Sequence, residues 1–472
     1  MLSQQDNEVL TRVGPGTPMG ELLRRYWTPA LLSSEIPEPG GDPVRVRLLC
    51  ENLVAFRDLN GRVGLIQENC PHRGASLFYG RNEGTVGAPG TPGPGICGLR
   101  CPYHGWQFDA DGACIDMPSE PPTSTFKDRV RAKAYPTHES GGIVWTYMGP
   151  ADTITPFRDF GTESLPREHQ LATKLGSTCN WVQTMEGNVD TAHISWLHMF
   201  DAAEEVPDDG SDKPGYPSNA MTWKFWIHDR APRLEVQDTW YGFRYAGLRT
   251  TPNEHTNVRI TEYIFPYSTI IAAVPFNTRH LMVVPVDDHN CFRYTFNVSV
   301  DANPHGYGGG PLHDYSPFET PFTRQAGGIT PRDYVEDNTY LIDRDVQRTE
   351  TFSGIRDFVS QDLMVTESMG PVYDRSQERL GTIDKAIIRM RSLLIRAAKS
   401  LTAEGTTPPA LAGPDHDFTR LRGADKILAD GEDWRYLGTD DDPAVQEAEA
   451  FRRAEVADAA DAPTVTQPAA GE

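Results

Sequence analysis

Apolar and polar positions alternate with a period of two in two separate parts of the chain. From Val44 onward, VRVRLLC and NLVAFRDLNGRVGLI read as strands, with Asn60-Gly61 as the turn of a hairpin. WQFDADGACI repeats the device at Asp111-Gly112, and GGIVWTYMGP, near 141–150, reads as a closing strand. These runs predict a small antiparallel β domain over residues 43–150. Ahead of it, MGELLRRYWTPALL has helix-like text before the break IPEPGGDP. Residues 1–42 are therefore expected to form an N-terminal helical arm.

The second alternating part is longer. AMTWKFWIH, RLEVQDTWYGFRYAGL, VRITEYIF, STIIAAVP, RHLMVVPV and CFRYTFNVSV follow one another and predict one antiparallel sheet. NWVQTMEGNVDTAHISWLHMF (180–200), ahead of it, has helical character. Behind it, DKAIIRMRSLLIRAAKSL places Ile387, Met390, Leu394 and Ala397 on one apolar helix face. Residues 151–438 then form a larger domain, a sheet flanked by helices, and the chain as a whole is α+β. The acidic, Ala/Pro-rich stretch 439–472 reads as a mobile tail or a loosely attached helix.

Composition narrows the function. A chain of 472 residues is long enough for two or three domains, each with its own core. Its net charge of −22 argues against nucleic acid as a partner, because phosphate binding needs a basic surface. No apolar run reaches transmembrane length, and MLSQQDNEVLTRVG lacks the apolar centre of a signal peptide. A cytoplasmic protein with no membrane contact is expected. Seven cysteines spread over such a chain do not suggest a disulfide framework; clustered with histidine they read as metal ligands.

That clustering occurs twice on one pattern. Cys70-x-His72 and Cys101-x2-His104 each place one thiol and one imidazole on a short loop. Zinc fingers of the Cys2His2 kind put both cysteines in one knuckle and both histidines in a following helix. One of each per loop suits a Rieske-type 2Fe-2S cluster, in which one iron takes both thiolates and the other both imidazoles. The flanks CPHRG and CPYHGW resemble the two loops of Rieske proteins, with Pro71 and Pro102 stiffening each. Gly74 and Gly105 permit tight turns whose N–H groups could face the cluster sulfurs. Cys97 is a rival to Cys101, but its distance from His104 does not fit the loop. Cys97 and also Cys50, Cys114, Cys179 and Cys291 are read as free or buried thiols. The Gly/Pro-rich insertion over 84–97 reads as an irregular loop outside the metal motif.

A second constellation lies in EGNVDTAHISWLH, where Asp190, His193 and His198 are spaced Asp-x2-His-x4-His. On a regular helix Asp190 and His193 would be about 60° apart, whereas His193 and His198 would be about 140° apart. A kink, a π-bulge or a helix end is therefore expected between the two histidines. Two histidines with open positions left over suit the 2-His-1-carboxylate site of iron(II) oxygenases, with the third ligand from elsewhere.

The chain resembles the Rieske non-haem iron aromatic-ring oxygenases, in particular the large single-subunit type grouped with phthalate 4,5-dioxygenase. The likeness runs from DNEVLTRVGPGTPMGELLRRYW through both loops and NWVQTMEGNVDTAHISWLH to QDLMVTESMGPVYDRSQERLGTIDKAIIRMR. It implies a helix-grip-like catalytic domain, and it implies Asp362 as the carboxylate ligand, with Asp357, Asp374 and Asp384 as rivals. It implies that Glu186 is not a ligand, and that Asp190 bridges His193 to the cluster ligand His104 of a neighbouring subunit in a homotrimer or a hexamer of stacked trimers. Many relatives have Asn after this Glu; here it is Gly187, so any role of that Asn does not carry over.

The reaction so implied consumes O2 and two electrons. No GxGxxG fingerprint follows a strand, so NAD(P)H acts only through a separate flavin and ferredoxin-type reductase. The expected substrate is an aromatic acid, phthalate-like or benzoate-like, undergoing ring dihydroxylation. Aryl-ether O-demethylation or monooxygenation on the same scaffold is the alternative, and a Rieske electron-transfer protein is the alternative of another class. Arg230, Arg233, Arg244, Arg249 and Arg259 are candidates to pair with a carboxylate. Strand alternation puts Arg244 and Arg249 on opposite faces, and the substrate-binding residue stays open.

Overall fold

A computed structural model describes residues 2–84, 97–161, 169–199, 207–271, 278–298, 335–413, 415–447 and 449–450. Most of the 84–97 insertion and residues 451–472 of the acidic tail lie outside these.

Three small antiparallel sheets make up the first part. Val44–Leu48, Glu51–Arg57 and Val63–Gln67 form a meander whose second turn is the expected Asn60-Gly61. Asp58 tightens that turn by accepting from the Asn60 and Arg62 N–H groups. Arg81–Gly84, Cys97–Arg100, Gln107–Phe108 and Cys114–Asp116 form a four-stranded sheet. Trp27–Leu32, Ile143–Tyr147 and Thr137–Ser140 form the third.

The N-terminal arm is thus only partly helical. Gln4–Thr11 and Pro18–Leu23 are helices, capped by Ser3 and Thr17. WTPALL is a strand instead, paired with Ile143–Tyr147. All six of its residues are buried, and Pro29 within it would cost a helix its hydrogen bond.

The second part is one eight-stranded antiparallel sheet. Its path runs Gln170–Ser177, Cys291–Val298, Thr278–Pro285, Ser268–Ile271, Thr256–Ile264, Gly242–Thr250 and Arg233–Thr239. Ala424–Ile427 adds to Thr256–Ile264, a pairing that no local pattern announced. AMTWKFWIH is a helix, Asn219–His228, and not the first strand of the sheet. Ser218 caps it through the Met221 N–H, and Met221 and Phe225, one turn apart, pack on Ile427.

Helix Lys385–Glu404 buries Ala386, Met390, Leu394 and Ala398, with Ile387 and Ala397 at the margin of that face. It packs on both N-terminal helices, so residues from the two ends of the chain share one core. A separate apolar cluster surrounds Cys70 and Cys101 with Ile66, Leu99, Trp106, Phe108 and Met117. The start of the acidic stretch makes contacts with the rest of the fold. Asp442 is buried there and accepts from the Gly438 N–H at 2.8 Å. Among the described residues no helix is long and apolar enough to cross a membrane.

Candidate functional site

The two Cys/His loops are built to one plan. In each, the Cys N–H donates to a carbonyl five residues on: Cys70 to Ala75 and Cys101 to Trp106, both at 2.8 Å. In each, the glycine at positive φ, Gly74 or Gly105, donates its N–H back to the cysteine carbonyl. Those glycine N–H groups close the turns, and another N–H of the turn faces the sulfur, as the sequence reading expected of these loops. The N–H aimed at the Cys70 sulfur is that of His72. Burial pushes the Cys70 thiol up to about 11; the His72 N–H opposes the shift and the neighbouring Cys101 adds to it.

The His72 and His104 rings lie 4.6 Å apart, and Trp106 stacks on His72 at 4.3 Å. His104 Nδ1 is shielded from solvent without a hydrogen-bond partner. Two buried thiols, beside two close imidazoles with a bare ring nitrogen, are a donor set short of a cation. The residues fit a 2Fe-2S cluster. Cys97 lies away from them, at the start of its strand, where its sulfur accepts from Asn60 Nδ2. Trp106 was quoted in the motif but given no role by the sequence; its stacking appears only in the fold.

The second site forms where a helix stops. Asn180 caps Trp181–Asn188, and the helix ends at Asn188, before Asp190. Asp190 and His193 therefore do not share a helix face, and the break expected between the two histidines is present as well. His193 opens a single 3-10 turn, His193–Ser195, and Trp196 leaves helical geometry. Those breaks turn His193 and His198 toward each other, with ring centres 5.1 Å apart.

Asp362 arrives from helix Phe358–Glu367. Its Oδ1 lies 3.1 Å from His198 Nε2 and 3.8 Å from His193 Nε2. One donor atom from each of the three residues lies within 4.8 Å of the others. The rivals lie elsewhere in use. Asp357 caps that same helix through the Ser360 N–H, Asp374 accepts from the Ser376 N–H, and Asp384 accepts from the Gly381 N–H.

The helix carrying Asp362 also fixes His198. Phe358, Gln361 and Asp362 stand at i, i+3 and i+4, one face. Phe358 stacks on the imidazole at 3.6 Å. Gln361 donates its amide N–H to the Ile355 carbonyl, so its Oε1 is left to accept from His198 Nδ1 at 2.6 Å. The neutral imidazole then carries its lone pair on Nε2, which is buried, without a hydrogen-bond partner, and aimed at a carboxylate oxygen. Two lone pairs facing each other at that distance need a cation between them. The residues fit a metal ion. Burial and the surrounding charges push the groups apart. Burial lowers His198, outweighing Asp362. Burial also pulls His193 down, but Asp190 and Asp362 outweigh it and leave His193 above its ordinary value. Burial pushes Asp362 up, yet the two histidines and Arg293 hold it well below the carboxylate range.

Asp190 Oδ2 lies 3.3 Å from His193 Nδ1, and its Oδ1 accepts from the Ala192 N–H. Glu186 is not one of the three clustered donors; it lines the cavity beside them and is gripped by Arg375 and Arg391. A cavity of about 640 Å³ opens beside the site, lined among others by Asp190, His193, Trp196, Arg293, Asp362 and Met369.

The candidate arginines separate. Arg244 pairs with buried Glu262, and Arg233 with Glu235. Arg230 lies over Trp196, and Arg259 over Trp226. Arg249, on the face opposite Arg244, donates to the Thr191 carbonyl and to Ser195 Oγ on the histidine loop. Its second terminal nitrogen is buried without a partner, and burial together with Arg259 pulls it down to about 10. Arg293, absent from the sequence candidates, reaches Asp362 itself at 3.3 Å.

Comparison with known proteins adds the family. Residues 26–127 match the Rieske [2Fe-2S] domain, and residues 146–457 match the family described as LigXa C-terminal domain like. The chain is 38% identical to a 3-chlorobenzoate-3,4-dioxygenase oxygenase subunit of Comamonas testosteroni, over 90% of this chain and 95% of that one. It is 37% identical to a phthalate 4,5-dioxygenase oxygenase subunit of Pseudomonas putida, over 92% and 94%. A 5,5'-dehydrodivanillate O-demethylase oxygenase subunit of a Sphingobium strain is 32% identical over 87% and 84%. Among solved structures, dicamba monooxygenase bound to dicamba shares the fold at a TM-score of 0.51 and 16% identity, covering 81% of this chain and 98% of that one.

Proposed function

We propose that this chain, which belongs to the Rieske-type non-haem iron oxygenases, hydroxylates the ring of an aromatic carboxylate with O2 and electrons from a separate reductase. The observation that carries the reading is the donor set His193, His198 and Asp362 beside a cavity of about 640 Å³, a size that suits a small aromatic acid. The assigned roles are Cys70, His72, Cys101 and His104 for the 2Fe-2S cluster, and the His193 triad for iron(II). Bound there, an iron of this kind supplies O2 activation once the cluster delivers electrons singly.

The chain's own residues do the rest. Gln361 and Phe358 hold the His198 ring with Nε2 inward. Asp190 orients His193, and in a trimer it also reaches His104 of the partner subunit, forming an electron route between two copies. Trp106, stacked on His72, holds that ring in place. The 3-chlorobenzoate and phthalate dioxygenase relatives support an acidic aromatic substrate. The protein works in the cytoplasm with a flavin and ferredoxin-type reductase drawing on NAD(P)H.

The O-demethylase relative supports a second reading, removal of a methyl group from an aryl ether at the same site. One experiment separates the two. Benzoates, phthalates and methoxybenzoates are supplied with a surrogate reductase under O2 enriched in heavy oxygen, and the products are weighed by mass spectrometry. Ring dihydroxylation gives a diol carrying two heavy atoms; demethylation gives a phenol and formaldehyde. No labelled product from any aromatic acid would reject the proposal.

A further inference from the structure

Asp362 turns its two oxygens to different partners. Oδ1 faces the two histidines, at 3.1 and 3.8 Å. Oδ2 lies 3.3 Å from the Arg293 guanidinium. Arg293 stands on Cys291–Val298, a strand with a neighbour on each side, where it pairs with Leu175 and with Val283. Its side chain is only 9% exposed. The guanidinium is therefore fixed by the sheet and not by the helix that carries Asp362.

We infer that Arg293 is a positioning residue that reserves one oxygen of Asp362, so that the carboxylate offers the metal a single oxygen. The inference rests on the reading that His193, His198 and Asp362 hold the ion. A carboxylate binds a metal through one oxygen or through two. An oxygen already engaged by a guanidinium is held by a charge-assisted hydrogen bond. Swinging it to the metal would leave Arg293 buried without its counter-charge, an unfavourable outcome. One-oxygen binding leaves the ion one more position for an exogenous molecule than two-oxygen binding does. An arginine acting only as structural filler would alter stability and leave the carboxylate's binding mode alone.

The test uses full-length, cluster-loaded protein whose mononuclear site is stripped and refilled with Co(II). X-ray absorption at the cobalt edge then reports that site alone, since the cluster holds iron. A carboxylate bound through both oxygens gives a short metal–carbon scattering path that one-oxygen binding lacks. Wild type should lack the path, and Arg293→Met and Arg293→Gln should each show it. The path already present in wild type, or missing from the variants, overturns the inference. Cobalt that fails to load into wild type, or that loads equally into His193→Ala, overturns the metal assignment and this inference with it. Met and Gln differ in polarity, so if one variant fails to fold the other decides.

Discussion

The four donors of the first site fall within residues 70–104, on two loops that share one turn geometry. The three donors of the second run from His193 to Asp362, on a broken helix end and on a separate helix brought beside it. The first site lies at the surface: its thiols are buried, but His72 is exposed and His104 partly so. In the second, His198 is fully buried and Arg293 answers the carboxylate of Asp362. The contrast follows from task. A cluster that exchanges electrons with other proteins needs its histidine edge near a surface. A site that handles O2 and an aromatic ring needs shelter from bulk water, and that takes pieces from across the fold.

Breaking the local site should have the largest effect. Cys101→Ser removes one of the two loop thiols, so the red-brown absorption and all reductase-dependent product should vanish. Retained absorption would contradict the ligand assignment. Next comes the link between the sites. Asp190→Asn should keep both metals, by iron count, and lose about 10–100-fold in coupled turnover. Normal product formation with full iron would remove Asp190 from the electron route.

The next test concerns the scaffold of the assembled site alone. Glu186 sits on the helix leading to Asp190, held by buried Arg375 and Arg391. Glu186→Gln leaves Arg375 short of a counter-charge and Arg391 with Glu378 alone, and should cost about 3–5 kcal/mol in denaturant unfolding near neutral pH. Burial pushes Glu186 up, but the two arginines hold it below its ordinary value of 4.5. Its contribution is therefore full above that value and is lost as pH falls below it. The gap between wild type and Glu186→Gln should narrow on acidification and not widen. Smallest is the helix misread as a strand. Ser218→Ala removes the cap of Asn219–His228 and should cost about 1 kcal/mol, read by the same titration.

The same contrast explains what was legible in the sequence. The cluster loops could be read because every donor and every turn glycine lies in two short runs. Asp190, His193 and His198 were visible as a spacing, and the break between the histidines followed from it; the shared helix face of Asp190 and His193 did not hold, since the helix stops at Asn188 and periodicity cannot report a stop that tertiary packing sets. Asp362 was reached through family likeness; the face Phe358, Gln361, Asp362 was a local signal that could have ranked it above Asp357. Arg293 had no signal at all, because its role depends on which helix lands on its strand. The two misread elements share a cause. AMTWKFWIH is rich in aromatic residues that favour strands, yet Ile427, far along the chain, packs on its i, i+4 face. WTPALL is a strand only because Ile143–Tyr147 pairs with it.

The central claim is that this chain carries two separable metal sites, one local and one assembled. Mössbauer spectroscopy and iron counting on iron-57-enriched wild type and His193→Ala test it most directly. Wild type should hold about three irons per chain, two in the cluster and one ferrous and mononuclear. His193→Ala should lose only the mononuclear signal and keep the cluster spectrum unchanged. Loss of both signals together, or of neither, would contradict the account.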